Sequence, residues 1–456
     1  MSSRIDVLNL EWTSTSSRDR VMATLVCNYL RMQGLRVEER SVFDGYHALN
    51  QLNPKLLFMT NTTGAPENLD LMRYAKTRGY LGVSLISEGN FTRDSANHQE
   101  MIWGWNKQKK LAEDIYLLWS ERTRVITLQH HPELKERVGV SGGVGFDNYR
   151  IGKKQQNQRE FLSFWKKEGY EKIIGIGCFD FGNFYPEDSH YAINLKSFTN
   201  DQNQRFRNDG VDFDRVLTSV ASKNLEILFI VKQHPGSILG HKASGTVNLS
   251  NLPNVLVIKN ELSIFDCISL SDFWLAYDST TALEAWILGK QTCLLNPSGR
   301  DFPRDILISE GSPVYINEKE LMHAIEHFYA SASLPGFVER EGLRNQTIKQ
   351  VIQWDDGLNH VRAGNAILDL LESQGGRLQM QMETSSQQNK RWKQHVKWIL
   401  SPYIGRVRPC KNEWANRVNF IYEELKRFGE DKLKDQRAFY QSKGLSLDQL
   451  RQVRGA

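Results

Sequence analysis

The feature that most constrains the fold is a series of short, continuous apolar runs within residues 226–297. These runs are Ile227–Val231, Val255–Ile258, Phe273–Tyr277 and Thr292–Leu295. Each has the length of a β-strand, and none alternates apolar with charged residues. Strands that are apolar on both faces are typical of parallel sheets covered by helices on both sides. The stretch therefore predicts a doubly wound α/β domain.

Polar residues follow two of these strands directly. The first strand ends at Lys232-Gln233-His234-Pro235-Gly236, and the third ends at Asp278-Ser279-Thr280-Thr281. A helical pattern from Ala282 to Leu288 begins after the second loop and is closed by Gly289. Open α/β sheets bind ligands beyond the carboxyl ends of their strands. We therefore expect the chemistry of this domain at His234 and at Ser279 and Thr280.

The amino-terminal part shows the same alternation of strands and helices. The strand-like runs are Arg4–Leu10, Leu56–Thr60, Leu81–Ile86 and Ile115–Trp119, and the helical patterns are Arg18–Gln33, Pro66–Arg78 and Asn106–Glu113. The sequence Ser87-Glu88-Gly89-Asn90 follows one of these strands. A glycine there lets the backbone approach a ligand, and a carboxylate can reach it. The pattern predicts a second doubly wound domain with a polar site at Glu88.

The length of 456 residues exceeds what one hydrophobic core usually serves, so more than one domain is expected. A glycine-rich turn at Val138–Gly143 and a polar segment at Gly152–Arg159 indicate the connection. We assign residues 1–150 to one Rossmann-like domain, residues 151–375 to another, and residues 376–456 to a C-terminal extension. The second domain begins with a strand at Lys172–Cys178, and its loop carries Asp180. Its further helices are predicted near Phe213–Ser222, Glu318–Ala330 and Gly364–Ser373.

The C-terminal extension differs from the rest of the chain in its charge. Residues 377–456 contain 17 Lys and Arg but 8 Asp and Glu, whereas the whole chain has a net charge of +5. Residues 391–400, RWKQHVKWIL, interleave tryptophan with basic residues. This pattern suits peripheral contact with an anionic membrane surface. A basic helix packed on its own protein or on a partner explains the pattern equally well.

Local structure offers a second explanation for each candidate residue. A histidine at a strand end is usually an ordinary polar residue, but Pro235 and Gly236 next to His234 favour a fixed loop with donors for an anion. Ser279, Thr280 and Thr281 could cap the following helix, and capping and phosphate binding use the same N–H groups. Glu284, one helical turn later, could bind both hydroxyls of a ribose or be a solvated helix charge.

Taken together, these motifs resemble the GT-B glycosyltransferases. The segment 278–289, DSTTALEAWILG, looks like their nucleotide-binding strand, loop and helix. Glu88-Gly89, His234-Pro235 and Ser279-Thr280 are similar to the acidic-Gly, His-Pro and Ser-Ser/Thr motifs of bacterial polysialyltransferases and capsule Kdo transferases, which use CMP-activated sugar acids. The resemblance extends over about residues 4–375. It implies two Rossmann-like domains facing a cleft, with residues 151–375 binding the nucleotide sugar.

The resemblance also implies roles for individual residues. Glu88 would be the general base that takes the proton of an acceptor hydroxyl. His234 would stabilise the phosphate of the departing nucleotide, and Glu284 would hold its ribose. The other implied nucleotide-binding residues are Pro235, Gly236, Ser279, Thr280 and Thr281.

Asp180 is a spare carboxylate with two interpretations. It could act as a nucleophile in a retaining enzyme, or it could bond the backbone of its own loop. Arg93, Lys232 and Arg300 could each pair with a sugar carboxylate, and the sequence does not choose among them. No Asp-x-Asp motif follows a strand, so we expect neither a metal ion nor a cofactor beyond the donor substrate.

The implied function is sugar transfer in the biosynthesis of a surface polysaccharide such as a capsule or lipopolysaccharide. The expected partners are a CMP-linked sugar acid and a glycan or lipid-linked glycan acceptor, and not nucleic acid. A polyol phosphotransferase that resembles teichoic acid polymerases and uses CDP donors is one alternative. A binding protein that has the fold without catalysis is another. Five scattered cysteines and the lack of an apolar targeting segment favour the cytoplasm, on the inner face of the membrane.

Overall fold

The computed structural model of the protein describes residues 4–12, 18–93, 102–152, 157–187, 191, 194–195, 198–234, 245–259, 261–373, 389, 392–393, 396 and 413–456. The chain divides into two compact units. The first unit comprises residues 1–90, 95–152 and 349–456, and the second comprises residues 91–94 and 153–348.

The first unit is built on a parallel sheet of six strands. The strands are β1 (Val7–Glu11), β2 (Val37–Ser41), β3 (Leu56–Thr60), β4 (Leu81–Leu85), β5 (Ile115–Leu118) and β6 (Val138–Val140). Their order in the sheet is β2-β1-β3-β4-β5-β6. The chain reverses its direction of winding between β1 and β3, and ligands of open α/β sheets bind at such a switch point.

Helices cover both faces of this sheet. They include α1 (Arg18–Met32), α2 (Gly45–Leu52), α3 (Pro66–Thr77), α4 (Glu121–His130) and α5 (Asp147–Ile151). Val7 lies in the core beneath α1, whereas its neighbour Leu8 lies in a separate core beneath α2 and α3. Because successive strand residues point to opposite faces, a sheet with two cores needs the continuous apolar runs that the sequence shows.

The second unit has a parallel sheet of six strands with a different order. Its strands are β7 (Lys172–Gly177), β8 (Ile227–Lys232), β9 (Val255–Ile258), β10 (Phe273–Ala276), β11 (Gln291–Leu295) and β12 (Val314–Tyr315). The order is β12-β11-β10-β7-β8-β9, so the switch point lies between β7 and β10. The four strands predicted between residues 226 and 297 are β8 to β11, with ends shifted by at most one residue.

Side chains cap the first turns of the helices named here for the second unit, except the helix that begins at Thr281. These helices are α6 (Gln158–Phe164), α7 (Asn200–Lys223), α8 (Ile264–Leu270), α9 (Thr281–Ile287) and α10 (Glu318–Ser331). At α7, the Thr199 side chain accepts from the backbone N–H of Gln202, and the Gln202 side chain accepts from the backbone of Thr199. This reciprocal cap starts the helix well before the predicted Phe213.

The C-terminal helices belong to the first unit, which differs from the predicted domain bounds. After α11 (Glu341–Ile352) come α12 (Asn359–Ser373), α13 (Glu413–Ser442) and α14 (Leu447–Arg451). The Tyr29 hydroxyl donates to Asn365 Oδ1 at 2.6 Å, and Gln436 Nε2 donates to the Leu25 carbonyl at 2.9 Å. Residues 349–373 therefore pack with the first unit rather than the second. Much of the extension is also part of the first unit, because α13 and α14 close its core over α1 and α12.

Two local predictions are wrong. Residues 106–113 form turns rather than a helix, because the Asn106 side chain donates to the Lys110 carbonyl at 2.9 Å and Lys109 has a positive φ of 49°. Residues 138–140 form an edge strand rather than part of a turn, and Val140 exchanges backbone hydrogen bonds with Ala456.

The proposed membrane segment at 391–400 is largely outside the described residues, apart from Trp392, Lys393 and Val396. The Trp392 side chain is exposed. Among the helices that the structure describes, none combines the length and the apolar character that a membrane span requires.

Candidate functional site

Asp180 and His234 meet at the carboxyl edge of the second sheet. Strands β7 and β8 are paired in parallel with Gly177 opposite Lys232, so the residues just beyond them are also neighbours. Asp180 Oδ2 lies 3.4 Å from His234 Nδ1. The histidine side chain is 48% exposed, whereas that of the aspartate is 8% exposed. A nearly buried carboxylate thus faces an imidazole that solvent can reach.

An aromatic cluster holds Asp180 in place. Its neighbour Phe179 stacks on Phe206 with ring centroids 5.5 Å apart. Its other neighbour, Phe181, is buried and packs on Tyr277 at 4.9 Å. Because both flanking side chains are fixed in the core, the carboxylate between them has little freedom to move away from His234.

The polar loop after β10 is only partly available to a ligand. Thr281 Oγ1 accepts a hydrogen bond from Trp274 Nε1 at 2.9 Å and lies 3.1 Å from Ser279 Oγ. Ser279 Oγ also accepts from the Thr281 N–H at 3.3 Å. Thr280 stands at the start of α9 but caps none of its N–H groups. The Thr281 hydroxyl therefore takes part in hydrogen bonds within the protein, and the ligand roles of Ser279, Thr280 and Thr281 stay predictions.

The remaining predicted nucleotide-binding residues have different outcomes. Glu284 is 7% exposed and lies between the buried Leu283 and Ala285, so it is not a solvated helix charge. A charge buried in this way needs a specific partner. Pro235 and Gly236 lie outside the described residues.

A second ion pair lies at the same edge and was not predicted from the sequence. Asp278 is fully buried at the end of β10, and Arg304 Nε donates to its Oδ2 at 2.8 Å. Arg304 Nη2 also donates to the Asp278 carbonyl, and the guanidinium lies 5.0 Å from the centroid of the Phe179 ring. Burial raises the pKa of Asp278, and the neighbouring Arg304 opposes that rise. Nothing in the sequence spacing links the two residues.

In the first unit, Glu88 follows β4 as expected. Its side chain is 65% exposed and forms an ion pair with Arg18, with Oε1 and Nη2 3.0 Å apart. The Arg18 guanidinium lies 5.3 Å from the centroid of the Trp119 ring. The flanking residues Ser87 and Asn90 are buried, so the loop is fixed although the carboxylate is accessible.

Glu11 is a further candidate that sequence reasoning missed. It ends β1 at the switch point of the first sheet and is 1% exposed. Its two carboxylate oxygens accept from the Thr60 N–H and hydroxyl, both at 2.6 Å. Burial, and then the nearby Asp19, raises the pKa of Glu11 to about 8, although Arg20 and Thr60 act against the rise. The sequence feature that could have identified Glu11 is its position as the charged last residue of the strand VLNLE.

Within the part of the chain that the structure describes, no group of three or more His, Cys, Asp or Glu side chains is placed to hold a metal ion.

Comparison with known proteins was informative for structure alone. No protein-family model matches the chain, and no curated protein matches it in sequence. Among solved structures, a putative UDP-N-acetylglucosamine 2-epimerase from Listeria monocytogenes is 11% identical with a TM-score of 0.51, covering 84% of this chain and 100% of its own. The S. aureus MnaA structure with UDP is 11% identical with a TM-score of 0.51, covering 81% and 97%.

The wall teichoic acid polymerase TagF, in a structure soaked with CDPG, is 10% identical to this chain with a TM-score of 0.50. The match covers 82% of this chain and 90% of that one. Such likenesses establish architecture rather than reaction, because one fold hosts many activities. With its two doubly wound parallel sheets, the chain has the GT-B fold.

Proposed function

We propose that this protein is a glycosyltransferase of surface polysaccharide biosynthesis. Its donor is a nucleotide-activated sugar, specifically a CMP-linked sugar acid of the Kdo or sialic type, and its acceptor is a glycan. The observation that carries the proposal is the Asp180–His234 pair, 3.4 Å apart, at the carboxyl edge of a doubly wound sheet. The GT-B fold supports the proposal, because it supplies the edge where such a pair meets a nucleotide.

His234 is the residue that we assign to the leaving group. A protonated imidazole has two N–H donors. With Nδ1 facing Asp180, Nε2 donates to the phosphate as negative charge develops on it. Asp180 is then a positioning residue, because its carboxylate orients the ring and stabilises the imidazolium. A nearly buried carboxylate that faces a histidine suits this role better than that of a nucleophile.

Glu88 is the proposed base for the acceptor. The acceptor oxygen forms a bond to the anomeric carbon, and the bond from that carbon to the phosphate oxygen breaks. The nucleoside monophosphate leaves with the electron pair, and the proton of the acceptor hydroxyl passes to Glu88. Arg18 Nη2, 3.0 Å from Glu88 Oε1, holds this carboxylate in position.

A CDP-polyol phosphotransferase is the second candidate, and the structural likeness to TagF favours it. In that reaction the acceptor oxygen attacks phosphorus rather than an anomeric carbon, and CMP again departs. The His234 and Asp180 pair would serve the departing phosphate in the same way. The two candidates therefore share a site and differ in the group that is transferred.

The test is to incubate the protein with CMP-, CDP- and UDP-linked donors and to measure its unfolding midpoint and the mass of the acceptor product. A ligand that binds only the native state raises the midpoint. We expect the cytidine nucleotides to raise it and the CMP-sugar acid to add one sugar to a glycan. Addition of a polyol phosphate from the CDP donor would support the second candidate. No shift and no product with any donor would favour a binding protein without catalysis.

A further inference from the structure

Arg304 contacts residues that follow the two central strands of the second unit's sheet. Its Nε and Nη2 donate to Asp278, which follows β10. Its guanidinium lies over Phe179, which follows β7. The strand order reverses between β7 and β10, so this cation lies at the switch point where open sheets bind ligands.

The loop that carries Arg304 is fixed by its own contacts. Gln202 Nε2 from α7 donates to the Pro303 carbonyl at 2.9 Å. The Phe302 ring packs edge-on against Tyr277 with centroids 5.2 Å apart. Arg304 is therefore held on both its main-chain and side-chain sides, which is the preorganisation that a binding residue needs.

Part of the guanidinium is available to a ligand. The Arg304 side chain is 31% exposed, and its Nη1 donates to none of the residues that the structure describes. A guanidinium offers five N–H donors in a planar fork that matches carboxylate and phosphate oxygens. Asp278 accepts hydrogen bonds from Nε and Nη2, and these bonds fix the orientation of the guanidinium and therefore of its Nη1.

The three cations considered from the sequence are less suited to this task. Arg93 forms ion pairs with Asp305 at 2.7 Å and Glu310 at 2.6 Å. Lys232 Nζ donates to the Lys259 carbonyl. Arg300 is exposed, and its guanidinium contacts none of the described side chains within hydrogen-bond distance. Arg304, by contrast, is held by Asp278 and still presents Nη1 to a ligand.

We propose that Arg304 binds a second anionic group of the donor, next to the phosphate at His234. This group is either the carboxylate of a CMP-linked sugar acid or the second phosphate of a CDP-linked donor, and both present the same paired oxygens to a guanidinium. Neighbouring strands lie about 4.8 Å apart, so groups above β8 and above β7 and β10 are separated by roughly 5 to 10 Å. Two adjacent anionic groups with their hydrogen bonds can bridge that distance. The inference rests on the proposed function.

The test is to measure dissociation constants of CMP, CDP and CMP-linked sialic acid for wild type and Arg304→Gln. We expect CMP affinity to stay within about twofold, while CDP, the CMP-sugar acid or both bind roughly ten- to a hundredfold more weakly. If only the CMP-sugar acid binds more weakly, Arg304 binds its carboxylate. If only CDP binds more weakly, Arg304 binds its second phosphate. Arg304→Lys should recover part of the affinity, because it restores the charge without the fork.

Two controls keep the result interpretable. Arg215→Gln removes an exposed arginine from the middle of α7 and should change no affinity. The double variant Asp278→Asn, Arg304→Gln removes the buried carboxylate as well, so it measures binding without an unpaired charge in the core.

Two results would overturn the assignment of Arg304. One is equal affinity of wild type and Arg304→Gln for all three ligands, and the other is a loss of CMP affinity as large as the loss for the other two ligands. A wild-type chain that binds none of them would overturn the proposed function itself, and the inference with it.

Discussion

At the scale of single residues, the geometry around His234 determines which of its nitrogens a ligand can use. Nδ1 faces the nearly buried Asp180, so Nε2 is the nitrogen that we assign to the phosphate. The aspartate is fixed by the packing of Phe179 and Phe181 on either side. The exposed histidine contributes little packing, so its removal should affect chemistry more than folding.

We therefore expect His234→Ala to lower the rate of donor turnover by about 10² to 10³, the range measured when one charge-stabilising donor is removed. Asp180→Asn should also lower it, because the ring stays but its orientation and charge are no longer supported. Turnover is measured as release of the nucleoside phosphate, with circular dichroism to confirm folding. Asp212→Asn, an exposed aspartate on α7, is the matched control and should keep wild-type turnover. Full activity of His234→Ala would exclude the assigned role.

Glu11 gives a prediction about stability rather than turnover. Its pKa is raised to about 8 by burial, so the folded chain binds this proton more tightly than the unfolded chain, where glutamate titrates near 4.5. The free energy of unfolding contributed by Glu11 is therefore full below about pH 4.5 and is lost as the pH rises through about 8. The loss should be on the order of a few kcal/mol.

Chemical denaturation of wild type and Glu11→Gln between pH 5 and pH 8.5 measures this effect. The variant has no proton to release at this position, so its free energy of unfolding should fall less over the range. Parallel pH profiles of the two proteins would show that the Thr60 and Asn9 hydrogen bonds keep the carboxylate ionised despite its burial.

At the scale of elements, the contact between α1 and α12 explains why the last part of the chain belongs to the first unit. Gly364 on α12 lies against the ring of Tyr29 on α1, and a Cβ built on the glycine would be 2.4 Å from the ring. Four residues earlier on α12, His360 lies between Asp147 and Tyr440, with Nδ1 2.7 Å from the carboxylate and Nε2 2.5 Å from the hydroxyl. These buried contacts tie α5, α12 and α13 together.

Gly364→Ala should lower the free energy of unfolding by about 1–3 kcal/mol, because the added methyl group overpacks a core that cannot yield easily. Gly429→Ala is the matched control within α13, since no atom lies within 4 Å of its built Cβ. It should raise the stability by up to about 1 kcal/mol through helix propensity alone. Urea unfolding measures both. A neutral Gly364→Ala would mean that α12 can move away from α1 at little cost.

At the scale of the whole molecule, the chain consists of two units, each with its own doubly wound sheet and its own cores. The nucleotide-binding residues that we assign all lie in the second unit, on the loops after β7, β8, β10 and β11. Ligand binding should therefore protect the backbone of this unit first.

Hydrogen exchange with and without CMP tests this arrangement. At a ligand concentration about 100 times the dissociation constant, binding stabilises the native state by about 2.7 kcal/mol. We expect slower exchange at residues 178–182, 278–281 and 302–306. The edge at Val140, which pairs with Ala456 in the first unit, should be unchanged and serves as the internal reference. Protection confined to the first unit would contradict the assignment of the nucleotide site.

The sequence by itself determined the fold class and much of the secondary structure. Strand β3 and the strands β8 to β11 were predicted within one residue, because a strand buried on both faces must be a short, continuous apolar run. The same rule located His234 and Ser279 at strand ends. Polar residues 106–113 misled the prediction, because a side chain can satisfy the backbone in a turn as well as a helix can.

Only the tertiary structure decided which distant residues share a site. It placed Asp180 next to His234, joined Thr281 to Trp274 by a hydrogen bond, and brought Arg304 to Asp278 across 26 positions of sequence. It also joined residues 349–456 to the first unit. Periodicity records which residues are buried within an element, but it carries no information about which elements pack together. That choice depends on complementary shape, charge and hydrogen bonds between segments far apart in the chain.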